Sequence, residues 1–111
     1  MARTTFSGPV VSLNGFIAGS GATITKILTA TATLDFTSIG GGAQANLTIS
    51  VPGAAVGDEV IMALPAAPAA GLVFNAFVSA TNTVTIRASN ITGSPVDAAS
   101  ASYGVIVINA A

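Results

Sequence analysis

The chain of 111 residues contains no cysteine, no histidine and no tryptophan. The usual ligands of zinc and iron–sulfur sites are therefore missing, as is a required partner of thiol and Ser-His catalysis. Disulfide bonds are excluded as well, so the fold is held by packing and hydrogen bonds alone. From these absences we predict no catalytic residues, no metal site and no cofactor, and a protein that is not an enzyme.

Charge is also scarce, because three basic and four acidic residues make up 6% of the chain, against about 25% in ordinary soluble domains. Three basic residues cannot form a positive surface that neutralises several phosphates, so we expect no nucleic-acid partner. The acidic residues do not suggest catalysis either. Asp58 and Glu59 are adjacent, and on a strand their side chains point to opposite faces and cannot act as an acid–base pair.

Long hydrophobic runs are missing too, although the mean hydropathy of +0.80 is high. The longest apolar run, residues 60–74, is interrupted by Pro65, Pro68 and Gly71. A membrane-spanning helix needs about 20 apolar residues and tolerates proline poorly. No apolar block of signal-peptide length follows Arg3. We expect a protein that is made and used without membrane insertion and that has no membrane partner.

The few charges also bear on what the surface of the protein is for. A soluble domain of 10.7 kDa exposes about 5,500 Å², and most of that area falls to Thr, Ser, Asn, Gly and Ala. Either the protein is a monomer with a neutral, threonine-rich surface, or partner subunits cover much of its exterior. We favour the second interpretation, because charged residues are depleted at interface cores and a net charge of −1 gives little repulsion between copies.

What the sequence does contain is a clear period of two. Residues 23–36 alternate between polar and apolar side chains, and only Lys26 and Ile27 break the pattern. This predicts a long half-buried strand, or two strands in line, with a β-bulge or a change of packing partner at the break. Residues 45–51 alternate without a break, so they are typical of a second half-buried strand.

Four further segments have the composition of β-strands, at residues 59–64, 72–78, 83–88 and 103–108. The apolar run in the first of them predicts a strand buried on both faces. Thr81-Asn82 joins the second and third as in a β-hairpin. No segment has the apolar spacing of a helix. The sequence therefore predicts an all-β fold, an antiparallel β-sandwich or small barrel of about six to eight strands.

The first 22 residues differ from the rest, because glycines and apolar residues are scattered among them without periodicity. An arm that packs on a neighbouring subunit has this composition, and so does a first edge strand followed by a loop. The predicted organisation is thus an N-terminal arm or edge strand at residues 1–22 and a β-sandwich domain at residues 23–111.

Two stretches of the chain resemble proteins of tailed bacteriophages. Residues 32–108 contain the motifs LDF, PGAAVGD, GLVF and VSATNTVTIR and a closing Y.V.V pattern. They resemble a module that recurs in phage structural proteins. The opening TTFSGPVVSLNGFIAG, residues 4–19, is similar to the start of small phage head proteins of the decoration, or cement, type. These motifs are turn and strand patterns rather than a chemical signature, so they transfer no catalytic residue.

The resemblance implies a β-rich subunit, commonly a homotrimer, that is made in the host cytoplasm and adds to the outer capsid surface of the virion. Its partners would be the major capsid protein and further copies of itself. In the N-terminal segment we predict contacts with the capsid or with a neighbouring subunit for four residues: Arg3, Phe6, Val10 and Phe16.

The same module also occurs at the tips of phage fibres and spikes, which leaves an alternative function open. There the protein would recognise a host receptor, such as a glycan. Sugar sites usually use exposed aromatic side chains, and this chain has one tyrosine, no tryptophan and mostly strand-borne phenylalanines. We therefore rank receptor recognition second to capsid decoration.

Overall fold

The computed structural model of the chain describes residues 3–110. All regular secondary structure in this range is β-strand, which confirms the predicted all-β class. The seven strands are, in chain order, β1 Phe16–Ile17, β2 Thr23–Leu34, β3 Gln44–Ser50, β4 Glu59–Ala63, β5 Leu72–Ala80, β6 Thr83–Asn90 and β7 Ala101–Ala110.

The strands form two antiparallel sheets, as expected for a small β-sandwich. One sheet has four strands in the order β1-β2-β7-β4, and the other has three in the order β3-β6-β5. The central strands are therefore β7 in the first sheet and β6 in the second, and β1 pairs with β2 only at Thr23 and Ile24. Because β4 lies at the end of its sheet, the backbone groups along one of its two edges pair with no other strand of the described chain.

The longest ladder joins β2 to β7, from Ile24 opposite Ala110 to Leu34 opposite Ala101. Its register shifts between Ile24 and Lys26, so Thr25 is the extra residue of a β-bulge. The predicted irregularity is thus confirmed as a bulge within one continuous strand. After it, the even-numbered residues of β2 face the core and the odd-numbered residues face outward.

The predicted hairpin at residues 81–82 is also confirmed, because β5 and β6 pair along their whole length. Asn82 has a positive φ of 63°, a conformation that asparagine tolerates better than most residues. Its side-chain oxygen accepts a hydrogen bond of 2.8 Å from the Gly53 amide. The hairpin is thereby tied to the turn that follows β3.

The core lies between the two sheets and is dense in aromatic rings at one end. Phe36, Phe74 and Tyr103 form a cluster with ring centroids 5.7 to 5.9 Å apart. Aromatic pairs at tilted angles and this spacing stabilise a core beyond their burial. Burial raises the pKa of the Tyr103 hydroxyl above its ordinary value. Aliphatic residues fill the remainder, with Ile86 and Val107 fully buried.

One prediction for the single chain is wrong. The apolar run at residues 59–64 suggested burial on both faces, but β4 is an edge strand and Ile61 is 55% exposed. Val60 and Met62 pack against the core, whereas Ile61 lies on the outer face of the sheet. The physical reason is that no second layer of the described chain covers this face.

The N-terminal segment contributes one short edge strand, because β1 pairs Phe16 with Ile24 and Ile17 with Thr23. Residues 3–15 form no strand and are almost entirely exposed. The chain exposes 7010 Å², against about 5,500 Å² for a compact domain of this mass. Its radius of gyration is 17.5 Å, against about 13 Å expected for this length. The role of this segment as an arm on a neighbouring subunit stays a prediction.

Candidate interaction surface

Asp58 and Glu59, which are adjacent in the sequence, have different surroundings in the structure. The Asp58 carboxylate accepts hydrogen bonds from the Ala55 amide at 2.9 Å and from the Asn109 side chain at 2.6 Å. It therefore closes the turn before β4, whereas Glu59 is exposed at the start of that strand. Among residues 3–110, no three acidic residues gather as metal ligands would. That the protein is not an enzyme stays a prediction.

The outer face of the four-stranded sheet exposes several large apolar side chains. We call it the isoleucine face, and it comprises Ile27, Thr29, Thr31, Ile61, Ala63, Gly104 and Ile106. Three exposed isoleucines dominate it, with exposed fractions of 55% for Ile27, 55% for Ile61 and 39% for Ile106. The threonines add methyl groups between them.

Strand register brings these residues together from three strands. Ile106 of β7 lies opposite Thr29 of β2 on one side and opposite Ile61 of β4 on the other. Two residues along β7, Gly104 lies between Thr31 and Ala63 in the same way. The row of residues across Ile106 therefore has larger side chains than the neighbouring row across Gly104.

The small row forms a depression in the isoleucine face, which we call the Gly104 depression. It has a volume of about 240 Å³, and its walls come from both neighbouring strands. A Cβ atom on Gly104 would lie 3.4 Å from the Thr31 Cγ2 atom and 3.6 Å from the Ala63 Cβ atom. These are ordinary contact distances, so the missing side chain leaves a space that an apolar group can fill.

The outer face of the three-stranded sheet has the opposite character. We call it the polar face, and it comprises Asn46, Thr48, Asn75, Phe77, Thr85 and Arg87. Its polar groups bond to one another: the Arg87 Nε donates to the Asn46 side-chain oxygen at 3.0 Å. The Arg87 guanidinium also lies 5.0 Å from the centre of the Phe77 ring. This face therefore holds polar groups that bond to one another, although Val73 at its end is exposed, whereas the isoleucine face is apolar.

The four residues predicted as contacts lie in the N-terminal segment and are all exposed. Val10 and Phe16 line one shallow groove beside Ile27, with a volume of about 220 Å³. Arg3 and Phe6 do not line that groove, and the Phe6 side chain is 67% exposed. The structure thus brings two of the four together.

The isoleucine face was not found by sequence reasoning, although two signals for it were present. Ile27 breaks the alternation of β2, and Ile106 lies between two core valines in a run that is apolar on both faces. Such residues show that a strand has two apolar faces. They do not show which face another layer of the same chain covers.

Comparisons with known proteins leave this surface as the main guide to function. No protein-family model matches the chain, and neither a curated protein nor a solved structure matches it. The bacteriophage resemblance therefore rests on the sequence motifs alone. No helix in the described range has the length and apolar character needed to cross a membrane.

Proposed function

We propose that the protein is a virion structural subunit of a tailed bacteriophage, a decoration or cement protein that binds the outer surface of the head as a homotrimer and stabilises it. Its partners are the major capsid protein and other copies of the same chain. It is made in the host cytoplasm and resides on the outer capsid surface. The motifs in residues 4–19 and 32–108 support the phage assignment.

The observation that carries the proposal is the amount and kind of surface that the chain exposes. Its surface exceeds that of a compact domain by about 1,500 Å², whereas a standard interface buries about 800 Å² on each partner. Large apolar side chains contribute to this surface, since Val11 is 82% and Leu13 is 91% exposed. Monomeric soluble proteins rarely expose large contiguous apolar patches, and in this chain Ile61 and Ile106 are exposed on paired strands.

A cement subunit needs such surface for a physical reason. It stabilises a shell by adding contacts between neighbouring subunits, and symmetric association lets one short chain present the same patch several times. The unpaired edge of β4 supports the proposal as well, because exposed edges are usually paired, charged or covered. Charged side chains on an edge strand discourage pairing with another chain. In β4 the only charged residue is Glu59, at its first position, and residues 60–63 are uncharged.

Receptor recognition on a fibre or spike is less well supported by the surface. The polar face has one aromatic ring, that of Phe77, and the Arg87 guanidinium covers it. The Phe36 and Tyr103 rings are buried in the core. The exposed rings belong to Phe6 and Phe16 in the N-terminal segment, at and before the short edge strand β1.

The test is to mix the purified protein with phage heads that lack decoration and to sediment them. Saturable binding in a symmetric arrangement, together with increased resistance of the heads to heat, is expected. Removing residues 1–22 should weaken that binding if the segment contacts the head. Binding to bacterial cells or glycans, without binding to heads, would overturn the proposal.

A further inference from the structure

We propose that the Gly104 depression receives the N-terminal segment of a second copy of this chain, with the Phe6 ring seated beside Thr31, Ala63 and Ile106. The inference rests on the self-association included in the proposed function and names the two surfaces that form the contact. It requires no contact with the capsid.

The size and chemistry of the depression fit an aromatic ring. An apolar protein cavity of about 150 Å³ is large enough to bind benzene, and this depression measures about 240 Å³. It is lined by residues 29–31, 61–63 and 104–106 of three paired strands, and all of these residues are uncharged. Phe6 is the one aromatic residue between positions 3 and 15, and its side chain is 67% exposed.

The residues around this pair match as well. Beyond Phe6, the segment exposes Val11 and Leu13, and the lining of the depression includes the exposed residues Ile61 and Ile106. Residues 4–25 contain no charged side chain, and the lining of the depression contains none either. Glu59, two residues before Ile61 on the same face of β4, lies outside that lining and is exposed. Two neutral apolar surfaces can therefore meet without burying an unpaired charge, which is the usual obstacle to such a contact.

The length of the N-terminal segment, and the presence of one segment and one depression in every chain, favour a second copy as the occupant. An extended chain spans up to about 3.3 Å per residue, so residues 3–15 can cross from one sandwich to the next. Every copy has one such segment and one depression, and the segment does not fill the depression of its own chain, because Phe6 is exposed. A contact between two different patches is heterologous, and it can close into a ring such as a trimer.

The absence of native cysteine makes a direct test available. One preparation carries Ser7→Cys and a second carries Thr29→Cys, and the two are mixed under oxidising conditions. We expect a disulfide-linked pair of one chain of each kind. In the matched control, Thr48→Cys replaces Thr29→Cys, because Thr48 is also an exposed strand threonine but lies on the polar face. This control should give at least ten-fold less product.

Equal cross-linking of both threonine positions would overturn the inference. So would the absence of cross-links in a sample that sedimentation shows to be oligomeric. A chain carrying both Ser7→Cys and Thr29→Cys that closes only within itself would show that the segment binds its own sandwich, and this also contradicts the inference.

A second pair of variants separates the contact between copies from the function. Gly104→Leu fills the depression and Phe6→Ala removes its occupant, so each should weaken self-association at least ten-fold in analytical ultracentrifugation. Thr48→Leu, which adds the same side chain to the polar face, should not, and circular dichroism checks that each variant is folded. If both variants associate as strongly as the wild-type protein, the inference is wrong, whereas the proposed binding to heads is not affected by that result. If the variants do weaken association but the wild-type protein never binds heads, the proposed function fails alone.

Discussion

The Asn90 side-chain amide donates a hydrogen bond of 2.8 Å to the Ile39 carbonyl oxygen, across 51 residues of sequence. The same amide donates to the Ser94 carbonyl oxygen at 2.8 Å, and its oxygen accepts from the Thr92 amide at 2.9 Å. Asn90 is 2% exposed. One buried side chain therefore joins the end of β6 to the loop after β2 and to the long connection before β7.

The first prediction concerns this junction. Asn90→Ala removes three hydrogen bonds at the junction and leaves the Thr92 amide without its acceptor, whereas the Ile39 and Ser94 carbonyls keep the Val96 amide and the Thr92 hydroxyl as donors. Each lost bond costs about 1 kcal/mol, and an unsatisfied buried polar group costs about 1–3 kcal/mol. We expect the free energy of unfolding to fall by about 2–4 kcal/mol in chemical denaturation. Asn75→Ala, an exposed asparagine on the polar face, is the control and should change it by less than about 0.5 kcal/mol. Equal effects of the two changes would contradict the role of Asn90.

The second prediction concerns the hairpin residue Asn82, whose φ is 63°. Asn82→Ala should lower the free energy of unfolding by about 1–2 kcal/mol from backbone strain alone, and further through the lost bond to Gly53. Asn82→Gly relieves the strain and loses only that bond, so it should cost less than alanine. Thermal unfolding of the two variants measures the difference. A glycine variant less stable than the alanine variant would show that strain is not the main cost.

The third prediction separates the core from the isoleucine face. Ile86→Ala opens a cavity between the sheets and should cost about 2–5 kcal/mol of unfolding free energy. Ile61→Ala, at a side chain that is 55% exposed, should cost less than about 1 kcal/mol in the dissociated chain. Unfolding measured at several protein concentrations distinguishes the two. The Ile61 variant should lose stability mainly at concentrations at which the wild-type protein associates.

The fourth prediction concerns alkaline pH. Because burial raises the pKa of the Tyr103 hydroxyl in the folded state, the unfolded chain releases that proton at a lower pH than the folded chain does. The contribution of Tyr103 to stability is therefore fully present below a pH of about 10 and is lost as the pH rises through the folded pKa. Tyr103 is the one tyrosine of the chain, so ultraviolet absorption of tyrosinate follows it directly.

The control for this prediction is Tyr103→Phe. Above a pH of about 10, the wild-type protein should lose more unfolding free energy per pH unit than the phenylalanine variant does. Identical slopes in the two proteins would mean that Tyr103 titrates alike in the folded and unfolded states.

The parts of the fold that local pattern could predict are those with strict alternation. The strand at residues 45–51, the hairpin at residues 81–82 and the irregularity near Lys26 are present as expected. The pattern failed at residues 59–64, because an apolar run identifies a strand with two apolar faces but not the layer that covers each face. For the same reason, the sequence did not predict that the isoleucine face is exposed.

The candidate site divides in the same way. Phe6 and Val10 could be picked from the sequence as apolar residues in a segment without periodicity. The Gly104 depression could not, since it depends on Thr31 and Ala63 flanking one glycine from two other strands. Any two of these three residues are more than thirty positions apart in the sequence. Only strand pairing makes them neighbours.

The sequence by itself determined the class of the fold and the sparse charge of its surface, because side-chain alternation and composition are local properties that each segment carries alone. The tertiary structure decided which strands pair, and with them which isoleucines face the core and which face outward. Pairing depends on contacts between segments that are distant in sequence, and a shift of one residue would exchange the two faces of a strand.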